Sequence, residues 1–263
     1  PMTFSPSGHA CRVAAALLPF APLFAATAVH AQASAATTPN PVVITANRTP
    51  QALSSVLADI SVVDRAQIER SGATGVVDLL ARVPGVEFAR NGGPGAATSL
   101  FIRGSESRHT AVYIDGMRVD SQATGGATWE QIPLDQIERI EVLRGPAAAV
   151  YGSDAVAGVV QFFTKRGNGP AQPTAALTLG SYNTVQGQVG VSGSVDALNY
   201  TLSATHGRSD GFDATKPGAF GHNPDKDGWK RSSLQARVGY QLNPAHRLDA
   251  SLLASDMTSG YDG

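Results

Sequence analysis

The segment IPLDQIERIEVLRGPAAAVYGSDAVAGVVQFFTKRG, residues 132–167, holds two apolar strands and, between them, a run of small side chains. "IERIEVLRG" and "VVQFFTK" are rich in β-branched and aliphatic residues and are bounded by proline or glycine, which reads as strand. "AVYGSDAVAGVV" carries almost nothing large, a composition that lets one backbone approach another closely. Glu138, Arg139 and Glu141 are expected to form a solvated or mutually paired strand face. Arg144 ends its strand just before a glycine, as Arg103 does in "SLFIRG".

Further towards the N-terminus the same style continues. "VEFA", "SLFIRG" and "TAVYIDG" read as strands. Asp64 is placed to cap a helix over "RAQIER", and Thr74 one over "GVVDLLARV" that stops at Pro84. Residues 51–167 therefore read as one compact α+β region with a modest apolar core.

Towards the C-terminus the pattern changes. From Leu198 to Thr205, and again from Leu234 to Leu242, apolar and polar residues alternate strictly; the segments from Val185 and from Leu248 repeat the pattern, with one blemish at Leu253. Strands of about 9–11 residues with one apolar and one polar face suit a membrane barrel. A soluble β-sandwich alternates likewise. Two features favour the barrel: the polar face is hydroxyl-rich rather than charged, and tight connections (196–197 and 243–246) alternate with a long one (206–230). Strand parity puts the tight turns on one side, and the long loop and the C-terminal "GYDG" on the other. In such a barrel the strand-end Arg103 and Arg144 are expected to pair with carboxylates on the wall, since a buried charge needs a partner; ordinary surface arginines are the alternative.

The N-terminus and the composition set bounds. Arg12 is followed by an apolar run, residues 13–29, broken by Pro19 and Pro22, and then by small residues at Val29 and Ala31. That is the form of a secretory signal peptide over 1–31. Two prolines make the run a poor membrane helix. Residues 32–50 form an Ala/Thr/Pro-rich linker containing an extended patch at 41–46. The lone cysteine, Cys11, allows no intrachain disulfide, and a net charge of −1 gives no electrostatic footprint for nucleic acid. No HExxH, Walker loop or CxxC occurs, and His109, His206, His222 and His246 are scattered, so an enzyme is not indicated.

Two runs, "NGGPGAATSLFIRGSESRHTAVYIDGMRVD" and the opening segment, resemble the plug domain of TonB-dependent outer-membrane receptors in order and spacing. Within that family the text is most similar to the cobalamin (vitamin B12) transporters, although Ala157 stands where that group often has glycine. The resemblance implies an α+β plug domain at 51–167, followed over 171–263 by the first strands, about five, of an antiparallel transmembrane β-barrel in the outer membrane. A plugged transporter needs about 22 strands, so the chain is expected to be an N-terminal part of a longer one. It also implies that Pro41, Val42, Val43, Ile44, Thr45 and Ala46 are the TonB box, a peptide that adds a strand to TonB of the inner-membrane energy complex. Apical loops would meet the ligand through Asn91, Gly92, Gly93, Thr98 and Ser99 and through Ser121, Gln122, Ala123, Thr124 and Gly125. Cobalamin is the implied cargo. A ferric siderophore, haem or another metal chelate is the rival, and a surface signalling receptor without transport the rival from another class.

"NPDKDG" matches the first half of a calcium-hand loop through Asn223, Asp225, Asp227 and Gly228, then fails, because Leu234 occupies the position of the last ligand. A plain turn is the alternative. Parity places Asp213, Asp225, Asp227 and Asp262 at one rim, and the resemblance implies calcium held between two loops by these four aspartates.

Overall fold

The computed structural model of the protein describes residues 42–43, 51–52, 58–120 and 125–262. The expected signal peptide, Pro41, Ile44, Thr45, Ala46 and Ser121, Gln122, Ala123 and Thr124 lie outside the described residues. Two short strands, β1 (Val42–Val43) and β2 (Gln51–Ala52), pair antiparallel.

The α+β region runs β3 (Asp59–Val63), α1 (Arg65–Ser71), α2 (Val76–Leu80), β4 (Val86–Arg90), β5 (Thr98–Ile102), β6 (Thr110–Ile114), β7 (Met117–Arg118), β8 (Ile137–Arg144) and β9 (Gly158–Thr164). Its sheet has the order β3-β8-β9-β6-β7, with β6 and β9 parallel and the other pairs antiparallel; β4 and β5 form a separate hairpin. Asp64 caps α1 through a reciprocal capping box with Gln67. The cap of α2 differs from expectation. Gly75 occupies the N-cap, while the Thr74 hydroxyl donates to Asp78 Oδ2 at 2.8 Å, and the helix stops at Leu80 instead of running on to Val83.

The inner strand β8, between β3 and β9, is buried on both faces. One face packs Ile140 and Val142 with Leu80, Leu100, Ile102 and Phe162, with Trp129 set edge-on to Phe162. Each such fully buried side chain contributes roughly 1.5–3 kcal/mol. The other face is covered by two 3-10 turns, Pro146–Tyr151 and Ser153–Ala155, which lay Ala148, Tyr151 and Ala155 on Leu143 and Val159. The small residues of 146–157 thus cover their own sheet. Close backbone approach is required at Gly158, where a Cβ would lie 2.5 Å from the Leu143 carbonyl oxygen. Glu141 is not solvated: it is fully buried, and Arg139 reaches it at 2.8 Å while stacking on Phe163.

The remainder is an antiparallel meander, β10 (Gln172–Gly180), β11 (Thr184–Val195), β12 (Leu198–Ser209), β13 (Trp229–Asn243) and β14 (His246–Ser259). The strands extend beyond the apolar alternation, so the long loop narrows to 210–228. Their burial is inside out. Leu177 is 70% and Leu202 48% exposed, whereas Gln235 and Arg237 are 1% and 4% exposed, and Thr201, Ser203, Thr205 and Ser233 are buried. The polar face meets the α+β region and the apolar face is bare. A water-soluble sheet does the reverse, so this sheet is built for an apolar surrounding. No helix among the described residues is long and apolar enough to cross a membrane.

Candidate functional site

The glycine-rich loop at 91–97 and loop 210–228 meet at one end of the meander. Gly93 sits 3.6 Å, measured from a would-be Cβ, from the Asp227 carbonyl oxygen, and Gly92 lies similarly close to Ala214. At Gly95 a Cβ would fall 2.6 Å from Trp229 Cβ, so only glycine lets the loop seat on β13. Asn91 closes the loop by donating its backbone N–H to the Ala97 carbonyl at 3.1 Å. The expected ligand contacts therefore divide. Asn91, Gly92 and Ser99 are exposed, Gly93 is buried beneath the longer loop, Thr98 is buried where its hydroxyl meets Arg90 and the Ala96 carbonyl, and Gly125 is half-buried in a left-handed turn. Tyr182 and Phe212 lie tilted against each other near Gly93, with ring centroids 5.0 Å apart.

Loop 210–228 carries the acidic cluster. Carboxylate oxygens of Asp225, Asp227 and Asp262 lie within 4.8 Å of one another. Asp227 is buried and accepts from the Ala214 N–H at 3.1 Å; Asp262 accepts from the Asn223 N–H at 3.3 Å, and its other oxygen is buried without a partner. Asp213 does not join them: it is held by His222 Nε2 at 3.0 Å. The structure thus brings together three of the four expected aspartates. Their hard oxygen donors, one of them orphaned, fit a cation such as calcium, which takes six to eight oxygens.

Residues 52–159 match the family described as TonB-dependent Receptor Plug Domain. They are a TonB-dependent receptor plug domain. Solved structures agree with the plug-and-strand arrangement. The siderophore receptor PirA from Acinetobacter baumannii is 25% identical, with a TM-score of 0.63 over 78% of this chain and 32% of that one. The ferric enterobactin receptor PfeA from Pseudomonas aeruginosa, in a mutant form bound to enterobactin, is 21% identical, with a TM-score of 0.62 over 78% of this chain and 34% of that one. The ferripyoverdine receptor of the Pseudomonas aeruginosa outer membrane, bound to ferripyoverdine, is 17% identical, with a TM-score of 0.69 over 85% of this chain and 29% of that one. The chain thus spans about a third of the length of the structures it matches.

Contacts between plug and wall were only partly foreseen. Arg103 and Arg144 do not reach a wall carboxylate among the described residues. Both converge on Asp59 of the plug, Arg144 Nη2 at 2.6 Å, because β3 pairs with β8 and sets Asp59 directly beside Arg144. The hydrogen bond from Arg144, with the charges of both arginines, holds the Asp59 carboxyl below the usual carboxylate range against some desolvation. The deep ion pair between plug and wall is instead Asp115 with Arg237, at 2.6 Å and almost fully buried. Asp115 sits in an Asp-Gly hairpin with positive φ at both central residues (49° and 85°), which aims its carboxylate out of the sheet. It also accepts from Thr164 N and Oγ1. Around this pair the contacts are single hydrogen bonds: Gln136 Nε2 donates to Ser233 Oγ, Thr205 Oγ1 to the Asp135 carboxylate, and Arg231 to the Glu130 carbonyl. One signal for Arg237 was available, since it and Arg231 are the two charges on the otherwise uncharged inward face of their strand.

Proposed function

We propose that this chain belongs to a TonB-dependent outer-membrane transporter that imports a ferric siderophore or a similar metal chelate. The observation that carries the proposal is the inside-out meander around the plug: a sheet apolar outside and polar inside is suited to a lipid-embedded wall, and its polar face is occupied by the plug. The ligand class rests on the solved structures of similar fold, whose names include siderophore, ferric enterobactin and ferripyoverdine receptors. In this reading the ligand settles at the end of the meander where loops 91–97 and 210–228 meet. TonB adds a strand to the peptide around Val42–Val43, which already lies extended against β2. Force on that peptide displaces the plug and releases the ligand into the periplasm. No covalent chemistry is required.

Cobalamin is a second reading with one observation in its favour. The cluster of Asp225, Asp227 and Asp262 is a donor set for calcium that pins loop 210–228 to the segment after β14, and the sequence resemblance ties such a site to cobalamin uptake. Equilibrium binding of labelled cobalamin and of a panel of ferric siderophores to the full-length protein, with calcium and with chelator, separates the two. Binding of a ferric siderophore but not cobalamin is the expected result. Calcium-dependent cobalamin binding with no siderophore bound overturns it.

A further inference from the structure

The outward face of the meander is ordered in cross-strand rows. From the row containing Leu198 and Tyr240 to the row containing Ala204 and Leu234, every outward side chain is apolar or absent. Towards loop 210–228 the character then changes within two rows. The first holds Gly187, His206, Ser232 and Asp256, and the second Val185, Arg208, Lys230 and Thr258.

Arg208 and Lys230 are direct cross-strand partners, and both are exposed. Among the described residues neither makes an ion pair or a side-chain hydrogen bond. Two carboxylates stand near. Asp256 is on the diagonal from Lys230, one row closer to the apolar band, and Asp210 accepts instead from Asn183 Nδ2 at 2.7 Å. Like charges directly opposed across strands destabilise a sheet, so the pair is set for an anion between the two side chains.

Immediately below it lies a hollow of about 650 Å³, walled by Leu177, Val189, Ala204 and His206. It exists because Gly187 has no side chain and its Cβ position faces open space. His206 closes one side by bonding Ser232 Oγ at 2.9 Å. An apolar hollow beneath two unpaired cations, at the edge of an apolar band, has the chemistry of a lipid seat.

We propose that this face binds a phosphorylated membrane lipid, with an acyl chain in the hollow at Gly187 and a headgroup phosphate between the Arg208 guanidinium and the Lys230 ammonium. Arginine offers a planar fork matched to phosphate oxygens, and lysine a point charge beside it. The proposal rests on the membrane-spanning reading of the meander. It is independent of the imported ligand, because these side chains point away from the plug.

The test uses the full-length protein in phosphatidylcholine nanodiscs carrying a small fraction of diphosphoryl lipid A, with bound lipid counted by native mass spectrometry. A basic residue near a charged membrane surface contributes about 1 kcal/mol, so Arg208→Gln or Lys230→Gln should each weaken lipid A binding ~5-fold and the double variant ~30-fold. Lys230→Arg should retain binding, and Gly187→Leu, which fills the hollow without touching the charges, should weaken it. Inorganic phosphate at millimolar concentration should not displace the lipid; displacement would mean a free-anion site and overturn the lipid seat. Unchanged lipid A affinity in an inserted double variant would overturn it too. Failure of the unsubstituted protein to insert, read by protease protection, would instead sink the membrane reading beneath it.

Discussion

Replacing Arg237 by alanine should loosen the plug from its wall more than any other single truncation on the inward face of the meander. The guanidinium and the Asp115 carboxylate are 2.6 Å apart, with 4% and 6% of their side-chain surfaces exposed. Removing one partner of a buried pair costs about 3–5 kcal/mol, because the remaining charge stays out of water. Asp115 keeps its two hydrogen bonds from Thr164, which offset part of that loss. The expected cost is therefore roughly 2–4 kcal/mol. The double variant Arg237→Gln with Asp115→Asn leaves no orphan charge and should cost about 1 kcal/mol. The assay is urea-induced release of the plug in the detergent-solubilised full-length protein, followed by proteolytic cleavage within the plug while heat-modifiable mobility tracks the barrel. With a urea slope of about 1–3 kcal/mol per molar, the single variant should shift the release midpoint down by roughly 1–2 M and the double by far less. If the two variants release the plug at the same midpoint, the pair is not what holds it and the reasoning fails.

Three further outcomes are expected. The Asp59 carboxyl is held below its unfolded value near 3.9, so it contributes stability that is present above that value and is lost as pH falls through the folded value; Asp59→Asn should flatten the acid limb of plug stability below about pH 4 in a pH-dependent urea titration. Gly158→Ala should cost more than about 2 kcal/mol, measured as a lowered plug melting temperature, because the new methyl meets the Leu143 backbone carbonyl as well as the buried Ile102 Cδ1. Asp225→Ala with Asp227→Ala should abolish terbium luminescence sensitised from Trp229 at the base of the loop while leaving plug melting unchanged; luminescence equal to that of the unsubstituted protein would exclude the carboxylate cluster as a cation site.

The meander was legible because its alternation is unbroken over the apolar band of its outward face: Leu198 to Thr205 and Leu234 to Leu242 announce both strand and face. The strand ends were not, because His206, Arg208 and Lys230 put polar groups on the outward face and so imitate a loop. Helix α1 was readable from Asp64 and Gln67, whose bonds are local. Strand β3 was missed, and with it Asp59, the partner that keeps Arg103 and Arg144 within the plug. Spacing along the chain could not join Asp115 to Arg237, since that contact depends on how the plug seats in the sheet. The aspartate cluster was legible in part: parity brought Asp225, Asp227 and Asp262 to one rim, but gave no sign that His222 would hold Asp213.

The single hydrogen bonds around the Asp115–Arg237 pair have a mechanical consequence. When Gln136 parts from Ser233, water can replace the lost bond, so that rupture costs only about 0.5–1.5 kcal/mol net, and parting Thr205 from the Asp135 carboxylate costs about 1.5–3 kcal/mol. An apolar joint would instead have to expose its whole area before any of that cost returned. Among the described strands the plug is therefore held by bonds that water can replace one at a time, and by one ion pair, Asp115 in the grip of Arg237, that it cannot replace as cheaply.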